Sequence, residues 1–130
     1  MIKLTDLMSN RIVHPQELEV WYAIPAIRRE IAKEMKRRGL EQKKIAKNLG
    51  VTEAAISQYF SKKRAQEIKF GDILKKEIMK GVDKILANPN LIVQEVQRIL
   101  DLPEIRLQLC EIHGQCKGAC AECKICGGGR

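Results

Sequence analysis

The stretch Gln42 to Ser61 reads QKKIAKNLGVTEAAISQYFS, and its spacing decides the fold. Ile45 and Leu49 stand one helical turn apart. Ile56 and Tyr59 or Phe60 do the same further on, so each half carries one apolar face. Ala46 sits where the two faces must cross, and only a small side chain allows that approach. Gly50 lies between the halves, where positive φ is required and a Cβ would be costly. Val51 adds to the small shared core, and Thr52 is a natural N-cap for the second half. The segment therefore predicts two short helices, at about 42–48 and 53–60, joined by Gly50-Val51-Thr52. Two helices joined by such a turn form a helix-turn-helix, which lays its second helix in the major groove of DNA.

Working outward, the chain reads as almost entirely helical, because no long stretch alternates apolar and polar residues. Residues 4–12 predict a short first helix. His14-Pro15-Gln16-Glu17 looks like a helix start, with Pro15 in the first turn. Leu18, Val20, Trp21, Tyr22 and Ile24 are apolar on several sides and are expected to be buried. Pro25 marks a kink or a fresh helix start. Ile27, Ile31, Ala32 and Met35 continue the apolar face to a cap near Gly39. Asp72 is the expected N-cap of a helix carrying Leu74, Ile78, Val82, Ile85 and Leu86, which Asn88-Pro89-Asn90 stops. A helix at about 90–100 carries Leu91, Val93, Val96, Ile99 and Leu100. Asp101-Leu102-Pro103-Glu104 opens a last helix, ending near Gly114. The organisation expected is a DNA-binding domain at 1–70, a helical dimerisation region at 71–113 and a Cys-rich tail at 114–130.

The charge singles out the same central segment. The 130 residues carry 24 Lys+Arg against 16 Asp+Glu, a net charge of +8. Residues 25–70 alone balance to +8, while 1–24 balance to −1 and 71–130 to +1. A basic surface so confined is the footprint of a polyanionic partner.

Roles at the groove follow from helical geometry. Thr52, Glu53, Ala54, Ser57, Gln58 and Ser61 occupy the outer side of the second helix. Gln58 suits adenine, Glu53 a cytosine amino group and Ala54 a thymine methyl, while Ser57 serves a base or a phosphate. Gln42 is expected to meet a phosphate through its side chain and its helix N-terminus. Lys43, Lys44, Lys62, Lys63 and Arg64 are expected on backbone phosphates, which position the protein without reading sequence. Arg28, Arg29, Arg37 and Arg38 read as solvated or remote phosphate contacts.

The segment resembles the helix-turn-helix of the Cro/λ-repressor-like family, also called the xenobiotic-response-element family. The phrase from Gln42 to Thr52 carries the resemblance, with Ala55-Ile56-Ser57-Gln58-Tyr59 and Ser61-Lys62-Lys63-Arg64. The wider stretch from Ile24 to Arg64 is similar to small archaeal regulators with this domain, which often end in a Cys-containing tail. The resemblance covers residues 20–70 well and the remainder loosely. It implies an all-α, λ-repressor-like bundle that binds double-stranded DNA as a transcriptional regulator.

All five cysteines lie in the last 21 residues, at Cys110, Cys116, Cys120, Cys123 and Cys126. An odd, bunched set does not suggest a disulfide framework. Cys116, Cys120, Cys123 and Cys126 are spaced C-x3-C-x2-C-x2-C, which lets a short loop wrap one compact centre. An iron–sulfur cluster, [4Fe-4S] for preference, suits ligands packed so tightly. Zinc is the alternative, although its structural sites more often separate two Cys pairs by a longer loop. Cys110 and His113, one turn apart on the last helix, are possible further ligands. Alternatively, Cys110 replaces Cys116, or it is buried and inert.

The remaining expectations are exclusions and a mechanism. No run of roughly 18–20 apolar residues suggests a membrane span, and no signal-like start appears, so the chain reads as cytoplasmic. No catalytic set or glycine-rich phosphate loop supports an enzyme or a small-molecule substrate. One helix-turn-helix reads few base pairs, so a homodimer is expected, paired through the helices at 72–87 and 90–100. Cluster occupancy would order the tail, set the dimer geometry and so report redox state or iron–sulfur supply. The alternatives are a repressor with a structural zinc site, or an adaptor whose Cys-rich tail recruits protein partners.

Overall fold

The computed structural model describes residues 14–61 and 68–113. The expected helix at 4–12 and the tail from residue 114 lie outside them. Among the described residues all regular structure is helical, and none is strand. In order these are α1 (Pro15–Leu18), a π-helical turn (Glu19–Ala23), α2 (Ile24–Arg37), α3 (Gln42–Leu49), α4 (Glu53–Ser61), α5 (Asp72–Ala87), a 3-10 turn (Pro89–Leu91), α6 (Ile92–Leu100) and α7 (Pro103–His113). No described helix is long and apolar enough to cross a membrane.

Pro15 opens α1 as expected, and Pro25 stands in the first turn of α2, although the helical backbone does not break before it. The backbone stays right-handed helical through Leu18, Ala23 and Ile24. A proline inside a helix lacks a donor, and its ring collides with the carbonyl four residues back. The wider turn before Pro25 absorbs this, and the Ile24 N–H reaches back five residues to the Glu19 carbonyl. The extra residue also turns side chains outward. Val20 is 61% exposed and Trp21 40% exposed, where the sequence suggested burial.

The long apolar face of α2 forms the centre. Ala26, Ile27, Ile31, Ala32 and Met35 are buried, and α2 packs against α3, α4, α5 and α6. Gly39 (φ +93°) closes α2 with paired bonds, from its own N–H to Lys36 O and from Leu40 N–H to Met35 O. Leu74, Ile78, Val82 and Ile85 of α5 join the same core, as do Val96, Ile99 and Leu100 of α6 and Ile105 and Leu109 of α7. The helices assigned to dimerisation therefore bury their apolar faces within the chain. Two details differ as well. Val93 is exposed, and Asp72 is the first residue of α5 rather than its N-cap, which is Gly71.

Ion pairs tie the outer layer. Arg106 on α7 meets Glu19 in the π turn at 2.5 Å, and Arg98 on α6 meets Glu77 on α5 at 2.6 Å. Gly81 on α5 faces α6. A Cβ built there would meet Glu95 Oε1 and Ile99 Cδ1 at 3.5 Å, which is ordinary contact. Alanine fits this site and holds a helix better than glycine. Gly81→Ala is expected to raise stability by about 0.5–1 kcal/mol, measured by urea unfolding. A loss of stability would mean that α5 and α6 sit closer than this.

Candidate nucleic-acid interface

The helix-turn-helix is assembled as its residue types require. Ile45, Ala46 and Leu49 of α3 and Ile56 of α4 are buried, with Val51, Tyr59 and Phe60 half-buried around them. Gly50 adopts φ 69° and ψ 31°, the left-handed conformation its position demanded. Its N–H bonds Lys47 O at 3.3 Å, and the Val51 N–H bonds Ala46 O at 3.0 Å. Thr52 caps α4: its Oγ1 accepts from the Ala55 N–H at 3.1 Å. This closed seam fixes the angle at which α4 leaves the body.

Thr52, Glu53, Ala54, Ser57, Gln58 and Ser61 are all exposed, so α4 presents a polar outer face. Lys43 and Lys44 are exposed beside it on α3. Lys62, Lys63 and Arg64 lie outside the described residues. Gln42 has partners within the chain. Its Nε2 donates to Glu53 O at 3.0 Å and to Ser57 Oγ at 2.5 Å, so its donors are turned onto α4 rather than out to a phosphate.

Two exposed cations escaped the sequence reading. Lys47 follows Lys44 on α3, and Lys36, near the end of α2, places Nζ 4.6 Å from the centroid of the Phe60 ring. That contact brings a charge to the far end of α4 from a different helix, and no local motif announces it.

Arg38 is held by structure, while Arg37 stays largely solvated, with its side chain 64% exposed. Both bind the Glu34 carboxylate, at 2.6 and 2.7 Å, and Arg38 also bonds Asp83 on α5. The Arg37 hydrogen bond, helped by Arg38, outweighs partial desolvation and holds the Glu34 carboxyl at about 2. A depressed carboxyl contributes stability above its ordinary value of 4.5 and loses it as pH falls toward 2. Glu34→Gln is therefore expected to lower stability at pH 7, with the difference from wild type shrinking below about pH 4.5. Paired urea titrations across that range check it. A difference independent of pH would remove the charge from the explanation.

At the other end of the fold, Cys110 and His113 are both buried on α7. Cys110 is disulfide-bonded, and a sulfur in that state offers no thiolate to a metal. Ligation by Cys110 and His113 therefore requires the reduced chain. Cys116, Cys120, Cys123 and Cys126 lie outside the described residues. Among the described residues, no group of three or more His, Cys, Asp or Glu is placed to hold a metal.

No curated protein and no solved structure matches the chain. A helix-turn-helix family model matches residues 31–70, from the second half of α2 through α4 to Phe70. Over that segment the chain is similar to that helix-turn-helix family, which supports a DNA-binding transcriptional regulator.

Proposed function

We propose that the chain is a sequence-specific transcriptional regulator that binds double-stranded DNA as a homodimer. The observation that carries the DNA-binding reading is the polar outer face of α4, held on a closed apolar seam and flanked by Lys43, Lys44 and Lys36. Pairing of two chains supplies a second recognition helix one turn of DNA away. The inner faces of α5 and α6 are already used, so pairing draws on apolar side chains left exposed, such as Val20, Trp21 and Val93.

The test is binding of the full chain to duplexes selected from a random pool. Gln58→Ala is expected to weaken binding to the selected duplex by about five- to a hundredfold and to leave random duplex nearly unaffected. Equal losses on both DNAs remove the base-reading role of Gln58.

The tail completes the reading. Cys116, Cys120, Cys123 and Cys126 would hold a [4Fe-4S] cluster, with zinc on the same thiolates as the competing occupant. A bound cluster supplies one-electron chemistry, and through it the regulator would sense redox state or iron–sulfur supply. The support is the ligand spacing. A disulfide from Cys110 to any of those four would remove one ligand, so that disulfide and a four-thiolate centre exclude each other. Iron, sulfide and zinc quantified on protein purified without oxygen separate the occupants. Matching iron and sulfide support the sensor, one zinc per chain supports a structural clip, and no metal removes both. The adaptor reading, in which the tail recruits protein partners, is separated by the absence of DNA binding.

A further inference from the structure

The Gln42 amide has only one orientation compatible with its contacts. The Glu53 carbonyl can only accept, so the group facing it at 3.0 Å is Nε2. The same Nε2 donates to Ser57 Oγ at 2.5 Å. Both amide hydrogens are thereby directed onto α4, and Oε1 has no hydrogen-bond partner among the described residues. Ser57 Oγ accepts from Gln42, which leaves its own O–H free to donate. Both side chains are exposed. The edge between α3 and α4 therefore presents a carbonyl acceptor from Gln42 beside a hydroxyl donor from Ser57.

That pattern does not suit a phosphate, which offers acceptors alone. In the major groove, guanine presents two acceptors, cytosine a donor, and thymine an acceptor and a methyl. Adenine alone presents a donor, N6–H, beside an acceptor, N7, on one base. We infer that Gln42 and Ser57 act together as one reader of adenine, with N6–H donating to Gln42 Oε1 and Ser57 O–H donating to N7. Gln42 is thus a specificity residue rather than a phosphate contact. The inference rests on the DNA-binding reading above.

Duplexes selected from a random pool by the wild-type chain test it, with thermal unfolding confirming that each variant folds. Ser57→Ala and Gln42→Leu are both expected to relax the same adenine position in each half-site. Replacing that adenine by 7-deazaadenine, which lacks the N7 acceptor, is expected to weaken wild-type binding by about tenfold and Ser57→Ala binding hardly at all. The inference is overturned if the two variants relax different positions, if Gln42→Leu lowers affinity for every duplex equally, or if 7-deazaadenine affects both chains alike. A wild-type chain that selects no sequence overturns the DNA-binding reading itself, and this inference with it.

Discussion

Ile85→Ala is expected to destabilise the whole described fold by about 2–5 kcal/mol, the cost of an emptied site in a closed core. Ile85 is fully buried on α5, in the cluster that runs from Leu18 through the helix-turn-helix to Leu109. A fold of this size should lose more than about 10 °C of melting temperature. The loss should appear in one transition, with α4 melting together with α5 and α6. A separate dimerisation region predicts something different: two transitions, and a helix-turn-helix untouched by the substitution. Calorimetry tells these apart.

Ala46→Leu is expected to act most strongly on DNA binding. Ala46 is 4% exposed at the crossing of α3 and α4, so three extra carbons have no space to enter. Overpacking of this kind costs about 1–3 kcal/mol and shifts the backbone. The displaced element is α4, whose angle sets every base contact at once. Specific complexes are about a thousandfold or more tighter than nonspecific ones, and a tilted α4 forfeits that margin. Binding to a selected duplex should fall to the level of random duplex while the lysine-driven component survives. Unchanged selectivity would mean that α4 does not read the bases.

Ala46, Gly50, Thr52 and Ile56 made the helix-turn-helix legible, because each answers a separate local demand: a close crossing, a left-handed turn, a cap, a buried face. The boundaries near Gly39 and Asn88 were legible for the same reason. The wider turn before Pro25 was not, since a proline inside a helix can kink it, break it or widen one turn, and the outcome depends on what packs around it. The stripe Leu74, Ile78, Val82, Ile85 shows that a face is buried, but no periodicity says whose core it enters. The contacts of Arg38 and Gln42 were not legible because their partners, Asp83 and Ser57, are brought to them by tertiary packing. Lys36 reached the end of α4 in the same way, from a neighbouring helix.

The most direct measurement is the affinity of the full chain for duplex DNA across a range of salt concentrations. A protein held by phosphate contacts releases counterions, and the logarithm of its affinity falls linearly with the logarithm of salt. With Lys43, Lys44, Lys62, Lys63 and Arg64 engaged, the slope should be steeper than about −4 per bound chain. A selected duplex should stay tighter than a random one at every salt concentration. No affinity for duplex DNA, or an affinity indifferent to salt, would contradict DNA as the partner of this surface.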